Sequence, residues 1–362
     1  MVVVTTLRPK AFGNLLGDVI KKGYCTGCAS CVSSCPVLSL TMRCEKPTII
    51  GTCINCEICY YQCPRTVFSV EDFERELFGR TRRGDEPFGV VRSVHAARSV
   101  DPNVKMVGTD GSFVTSLLLH ALKNRKIDCA VISSIDPSER WKPIPKVAVT
   151  PEDVIRNAGT RYTSCPMILG LQEAVRDMGR RSVAFVGTGC AIEGVRKSRF
   201  IPKEYWDLGI HVKLAVGLFC MESFTDRLLK EYLPSNKVNL DEATKFHITK
   251  GRLIIKGKDS VLFKVPVKEL SCYAMDGCHV CVDSTAEFAD ISVGGIGSEE
   301  GWSTVVVRSE VGEVFFKELL GAGCIEAKPL SAESFQDIIK FNALKKKQVE
   351  EGSHPSFPRA SL

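Results

Sequence analysis

Between Cys25 and Pro64 the chain repeats one phrase, Cys-x-x-Cys-x-x-Cys-x-x-x-Cys-Pro. It occurs first with Cys25, Cys28, Cys31, Cys35 and Pro36, then with Cys53, Cys56, Cys59, Cys63 and Pro64. Three thiolates at this pitch wrap a turn of chain around three irons of a cubane, and in two-cluster chains the fourth Cys ligates the other cluster. By that rule one 4Fe-4S cluster takes Cys25, Cys28, Cys31 and Cys63, and its partner takes Cys53, Cys56, Cys59 and Cys35. Tetrahedral zinc also uses Cys-x-x-Cys. Its sites arrive as separated pairs, however, and do not explain two tandem runs that each end in Cys-Pro.

This stretch resembles a bacterial-type ferredoxin, and the resemblance covers about residues 23–70. Seventeen cysteines stand behind an N-terminus that carries no basic leader and long apolar stretch. That combination predicts a reducing, cytoplasmic compartment and metal ligation rather than disulfides. The longest unbroken apolar run, Leu214 to Met221, is far below a membrane span. No direct membrane insertion is expected, and any membrane contact must come through partner subunits. A net charge of +6 suits an acidic substrate, while the absence of a dense basic and aromatic face predicts no nucleic acid partner.

The expected fold class is α/β, or α+β overall: a small two-cluster ferredoxin followed by a larger mixed α/β domain, which the resemblance given below makes flavin-binding. The expected boundaries are an N-terminal helical arm over 1–22, the ferredoxin over 23–78 and a linker over 79–89. A main domain over 90–330 and a C-terminal helix and tail over 331–362 complete the chain. Phe12, Leu15, Leu16, Val19 and Ile20 stand at helical spacing. Gly79 to Gly89 is rich in turn residues and charge, so Arg80, Arg82 and Arg83 read as a solvated linker, with an acidic ligand or partner as the other reading.

After Gly89, β-branched runs alternate with helical patterns. Strands are expected near Val90–Val94, Ile127–Ser133, Ser182–Val186, His211–Phe219, Ala289–Val293 and Thr304–Val307, with a hairpin turned at Lys250-Gly251. Helices are expected over Ser112–Lys123, Pro166–Met178, from Ala191, over Glu222–Tyr232 and from Ala332 to about Glu350.

Nine cysteines remain outside the tandem runs. Cys190 and Cys220 each close a predicted strand, and Cys278 and Cys281 form a Cys-x-x-Cys. Four such thiolates converging at a sheet edge would hold zinc or a third 4Fe-4S cluster. Cys44, Cys129, Cys165, Cys272 and Cys324 read as buried or incidental thiols, Cys272 being the one placed to displace a predicted ligand. Gly187-Thr-Gly189, Gly108-Thr-Asp-Gly111 and Gly294-Gly295-Ile-Gly297 follow strands or open helices. Each is either a plain loop or a phosphate cradle; as a dinucleotide fingerprint the first is weak, because the next Gly, Gly194, falls two residues late.

From Gly108 to Arg308 the chain resembles the coenzyme F-420 hydrogenase/dehydrogenase beta-subunit family. The phrases that carry this are Gly111-Ser-Phe-Val-Thr-Ser-Leu-Leu-Leu119, Ala158-Gly-Thr-Arg-Tyr162, Gly187-Thr-Gly-Cys190, Gly217-Leu-Phe-Cys220, Gly277-Cys-His-Val-Cys281 and Ala289-Asp-Ile-Ser292. With a ferredoxin fused ahead, the arrangement most resembles the electron-input subunits of archaeal F-420H2 dehydrogenases, which feed quinone- or phenazine-reducing complexes peripheral to the inner face of the membrane.

The resemblance implies FAD and one 4Fe-4S cluster beside it. Cys190, Cys220, Cys278 and Cys281 are then the third-cluster ligands, and Thr109, Gly111, Ser112, Thr115, Gly159, Arg161 and Tyr162 are candidate FAD contacts. It assigns no catalytic residue. Two departures are visible: Ser112 stands where the family has a second Gly, and Gly189 where it has Pro. The expected activity is a relay in which hydride passes from reduced F-420 to FAD and single electrons leave through three clusters. Such a relay needs a flavin because a deazaflavin exchanges two electrons at once and a cluster one. Arg161, Lys142, Lys146, Arg196, Lys197 and Arg199 are candidates for the acidic tail of F-420, with a solvated surface role as the other reading of each. His279 is either a spacer or a donor to a cluster sulfur. The alternatives are a beta subunit of an F-420-reducing hydrogenase, formate dehydrogenase or sulfite reductase system, the same module acting on a chlorophyll-type substrate, and a ferredoxin-type carrier with no substrate of its own.

Overall fold

A computed structural model describes residues 10–200 and 208–351. The first nine residues of the expected arm and the tail from 352 lie outside the described residues. The two cysteine runs fold alike. Each puts a residue with positive φ on both sides of its second Cys: Gly27 (72°) and Ala29 (67°) in the first run, Asn55 (54°) and Glu57 (68°) in the second. A single helical turn follows in each, Ser30–Ser33 and Ile58–Tyr61, so the sequence repeat is also a conformational repeat. A hairpin of β1 (Leu40–Arg43) and β2 (Lys46–Ile49) joins them. The N-terminal stripe is helical over Phe12–Leu15 and π-helical over Leu16–Ile20. It buries Phe12, Leu15, Val19 and Ile20 against Cys31, Cys35, Cys59 and Cys63.

The rest of the chain is built on strands β3 (Ser93–Ser99), β4 (Cys129–Ile135), β5 (Pro143–Ala148), β6 (Val183–Thr188) and β7 (Val212–Leu218). Further along come β8 (Lys245–Thr249), β9 (Arg252–Lys256), β10 (Val261–Pro266), β11 (Ile291–Gly294), β12 (Ser303–Val307) and β13 (Ile325–Pro329). Among the described residues eight strands form one sheet in the order β13-β3-β12-β11-β7-β6-β4-β5. Its centre, β4-β6-β7-β11, is parallel, and β5, β12, β3 and β13 are antiparallel flanks, so the fold is mixed α/β. Strand alternation sends Ala130, Ile132, Ala184 and Val186 to one face beneath helices Phe113–Lys123 and Glu310–Gly321. It sends Cys129, Val131, Val183 and Phe185 to the other, beneath Met167–Gln172 and Gly189–Phe200.

That second face also takes Cys28, Phe68 and Phe73 of the cysteine segment into its core. Arg80 and Arg82 are drawn inward rather than solvated, while Arg83 stays exposed as the solvated reading expects. Arg80 and Arg83 reach the buried carboxylate of Glu86, and Arg82 spans the buried Glu74 and Glu287 at 2.6 and 2.7 Å. The correction has a simple cause: Glu86, six residues downstream, supplies the counter-charge for Arg80, and Glu74 and Glu287 supply it for Arg82.

A second correction concerns the helix expected from Glu222. Phe224 instead forms bridges to Thr163 and Ala274, which commits its backbone to extended pairing, and the helical turns begin later, at Leu228–Tyr232. The Lys250-Gly251 turn joins β8 to β9 as expected, with both residues at positive φ (47° and 69°). A third strand, β10, completes this small antiparallel sheet over its own core of Phe224, Leu228, Leu253 and Ile255. The last helix is continuous from Ala332 to Glu351.

Candidate functional site

Two cavities open in the cysteine segment, and each is lined by one of the crossed quartets. One, of about 290 Å³ and partly open to solvent, is lined by Cys25, Cys28, Cys31 and Cys63, with Met42, Pro47 and Arg65. The other, of about 340 Å³ and also partly open, is lined by Cys35, Cys53, Cys56 and Cys59, with Phe12, Val37 and Ile54. The fold thus carries Cys63 to the first cavity and Cys35 to the second, because the single-turn helices point each fourth Cys back toward the other half. Both crossing sulfurs accept a backbone N–H, Cys63 from Arg65 at 3.4 Å and Cys35 from Ser39 at 3.3 Å. Burial pushes the Cys28 thiol up to about 12 and the Cys63 thiol up to about 11. Such sulfurs stay protonated until a cation displaces the proton, so loading them releases protons. Among the described residues no three His, Cys, Asp or Glu side chains stand close enough to share one metal ion. The quartets ring voids rather than converge on a point, which suits a cubane.

The other predicted quartet also comes together. β6 and β7 are parallel neighbours with Thr188 opposite Leu218, so Cys190 and Cys220 emerge side by side at the carboxyl ends of the strands, where open α/β sheets place their ligands. Cys278 ends the short 3-10 turn Asp276–Cys278, and Cys281 follows three residues on. The Cys278 sulfur accepts the Ser223 N–H at 3.3 Å, and Thr188 Oγ1 lies 3.3 Å from the Cys190 sulfur. Burial raises the Cys190 thiol to about 12 and Cys278 to about 11; next to burial, Cys28 is the largest influence on Cys190. The sheet-edge quartet therefore stands against the cavity of Cys25, Cys28, Cys31 and Cys63.

Gly189 is closely packed, since a Cβ there would lie 2.4 Å from the Asp283 carboxylate that fills the space. Gly187 likewise packs on Phe185 and Ala191, and Gly294 on the Phe219 ring; these glycines serve close packing. Cys272 is exposed and stands apart from the quartet. Cys44 is exposed as well, Cys129 is buried, and Cys165 and Cys324 are half-buried.

The candidate flavin residues gather at the start of helix Phe113–Lys123. Thr160 Oγ1 donates to Thr109 Oγ1 at 3.1 Å, joining the loops at 108–112 and 158–162. Gly111 must be Gly, because a Cβ would lie 2.3 Å from the Ala97 carbonyl oxygen. Its N–H is given to Ser303 Oγ, and the Tyr162 hydroxyl accepts the Ile248 N–H, so both groups have structural work. Thr115 is buried and Gly159 takes a positive φ of 99°. Arg161 bonds the Asn157 and Gly159 carbonyls through Nη1.

Buried polar atoms without a protein partner cluster around these loops: Ser112 Oγ, Ser116 Oγ, Arg161 Nε and His247 Nδ1. A polar ligand laid along the helix start would satisfy them, and the residues fit a flavin nucleotide in that sense. Sequence reasoning missed three residues here. Lys245 donates to the Gly108 carbonyl at 2.7 Å, and His247 Nε2 lies 4.0 Å from Asp110 Oδ1. Lys245 and His247 stand on one face of β8, two residues apart, a signal visible only once the strand is known.

Two candidates for the coenzyme tail are ruled out by burial. Arg196 is buried, bonding the Phe288 carbonyl and pairing with Asp290 at 3.0 Å. Lys197 is buried and donates to the Cys63 carbonyl at 2.7 Å and to Thr66 Oγ1 at 2.8 Å. Both face inward because their helix lies between the sheet and the cysteine segment. Lys142 is paired with Glu139, while Lys146 and Arg199 are exposed. Lys345 was missed altogether. It sits buried on the last helix, donating to the Met221 and Cys278 carbonyls. Burial would lower its pKa, but the Cys281, Cys278 and Cys220 sulfurs outweigh that and hold it above the ordinary value.

A mixed α/β sheet with cysteines gathered at the ends of its parallel strands defines the class of protein, and the comparisons agree with it. Residues 94–172 match the family described as Coenzyme F420 hydrogenase/dehydrogenase, beta subunit N-term, and residues 180–333 match its counterpart for the C-terminal part of the same beta subunit. The chain is 35% identical to the Coenzyme F420 hydrogenase subunit beta of Methanothermobacter thermautotrophicus, over 72% of this chain and 94% of that one. It is 33% identical to the F polypeptide of the F(420)H(2) dehydrogenase of Methanosarcina mazei, over 90% of this chain and 95% of that one.

Among solved structures, a chain of the F420-reducing nickel-iron hydrogenase complex from Methanosarcina barkeri superposes with a TM-score of 0.68 at 32% identity. That match covers 75% of this chain and 92% of that one. The protein belongs to the coenzyme F420 hydrogenase/dehydrogenase beta-subunit family. Both family models begin after the tandem cysteine runs, whereas the Methanosarcina mazei match leaves a tenth of the chain uncovered and so reaches into them.

Proposed function

We propose that this chain is the electron-input subunit of an F-420H2-oxidising complex, an oxidoreductase that takes hydride from reduced coenzyme F-420 and delivers single electrons to partner subunits. FAD would accept the hydride and three 4Fe-4S clusters would carry the electrons onward. The observation that supports this most is the succession of thiol quartets: Cys190, Cys220, Cys278 and Cys281 beside Cys28, then the two crossed cavities. A carrier without a substrate would have no use for the orphaned polar atoms at the start of helix Phe113–Lys123.

In this reading each residue has a physical task. The Gly108–Ser112 loop and the helix start orient a phosphate-bearing ligand, and Lys245 and Thr160 fix that loop. Lys146 and Arg199, exposed and basic, are left to meet the acidic tail of F-420. The second cavity, lined in part by the exposed Val37 and Ile54, faces outward as the point of exit to the partner. Among the described residues no helix is long and apolar enough to cross a membrane, so attachment to the inner face of a membrane would run through partner subunits.

Iron and flavin analysis followed by mixing with F-420H2 and a dye acceptor tests the proposal. It predicts about twelve irons, counted as three four-iron clusters, one FAD, and bleaching of the reduced deazaflavin. A protein carrying its full iron and flavin that leaves F-420H2 unoxidised is not an F-420 enzyme.

A further inference from the structure

Arg65 follows the Cys63-Pro64 pair, and only 3% of it is exposed. It lines the cavity of the Cys25, Cys28, Cys31 and Cys63 quartet. Its guanidinium also faces the other quartet, close to the sulfurs of Cys281 and Cys190. The carboxylate of Glu193, itself buried, lies 3.5 Å from Nη1. Nε and Nη2 are buried with no nitrogen or oxygen partner, while the guanidinium meets the Cys281 sulfur.

A buried N–H left without an acceptor destabilises the fold, and two on one side chain call for a use. The neighbouring buried cation, Lys197, makes the contrast plain: its ammonium is spent on the Cys63 and Thr66 carbonyls and the Thr66 hydroxyl. Arg65 holds donors in reserve between two sets of sulfurs.

We propose that Arg65 is a positioning residue shared by the two metal sites, whose fixed charge and free N–H donors raise the reduction potential of both and hold them at a constant separation. The inference rests on the cluster reading above. Reduction adds one negative charge to a site already anionic, and a guanidinium in a water-poor setting favours the reduced form. Hydrogen bonds to the sulfurs act in the same direction, and both are recognised levers on cluster potential. Because arginine keeps its proton at any working pH, the effect does not switch with pH. Glu193 moderates it by partly neutralising the cation.

The test is a potentiometric titration followed by electron paramagnetic resonance on the intact chain, with iron counted in every sample. Arg65→Gln is expected to keep its iron and to make reduction of both sites at least tenfold less favourable, about 59 mV for a one-electron couple. Arg65→Lys is expected to recover part of that shift. If Arg65→Gln is recovered short of iron, Glu193→Gln decides, since it leaves the cation and removes its counter-charge; the potentials should then move upward. Full iron with unmoved potentials in Arg65→Gln, or in Glu193→Gln where that variant decides, overturns the role of Arg65 and leaves the cluster reading intact. A parent protein without about twelve irons overturns the cluster reading itself.

Discussion

Lys197 Nζ lies 2.7 Å from the carbonyl oxygen of Cys63, across the boundary between the sheet and the cysteine segment. The same ammonium caps Thr66, and a few residues earlier on its helix Gly194 lets Ser30 approach to 3.2 Å of where a Cβ would stand. The two parts of the chain are thus joined at the residue that crosses between the two tandem cysteine quartets. Lys197→Met would leave the Cys63 carbonyl with the Thr66 N–H and hydroxyl as donors but would strip the Thr66 carbonyl of the ammonium, at about 1–3 kcal/mol. The expected result is a lower denaturant midpoint and faster loss of iron to a chelator, measured side by side with the parent.

Cys190→Ala should remove roughly four of about twelve irons and leave the two crossed sites loaded. Iron analysis checks this directly. An unchanged iron content would remove Cys190 from the third site.

Gly111→Ala places a methyl 2.3 Å from the Ala97 carbonyl and 2.6 Å from the Ser303 nitrogen, both backbone atoms that cannot swing aside. The loop at the start of helix Phe113–Lys123 must then move, at a cost of about 1–3 kcal/mol. We expect the variant to fold with its iron but to retain less flavin, read from the visible absorbance of the purified protein.

Glu86 gives a pH signature. Burial alone would raise its carboxyl, yet the Arg80 guanidinium and the Arg83 and Val91 N–H groups hold it down to about 2. A carboxylate depressed in the folded state adds stability above its unfolded pKa and loses it as pH falls through the folded value. Parent and Glu86→Gln should therefore differ by about 1–3 kcal/mol at neutral pH, the range of hydrogen bonds to a charged group. The gap should close as pH drops from about 4.5 toward 2. Denaturant midpoints of the two proteins at matched pH measure that gap, and acid effects common to both cancel.

Much of the candidate site was written locally. The pitch of the cysteine runs dictates a turn that can wrap a cubane, and it repeats, so the chain alone announced two crossed quartets; the cavities are lined accordingly. The Cys-x-x-Cys at 278–281 and the strand-closing Cys190 and Cys220 were equally legible, because strand periodicity places residue ends at a sheet edge. What the sequence could not say is which charges turn inward. Arg80 and Arg82 read as solvated until Glu86, Glu74 and Glu287 are found beside them, and Arg196 and Lys197 read as surface until their helix is seen between two layers. Arg65 and Lys345 have no motif; each acquires meaning only from sulfurs brought close by packing. Spacing along a chain determines which ligands can share a metal, since that geometry is local. The placement of a buried cation is decided by counter-charges far off in sequence, and only the tertiary structure brings those within reach.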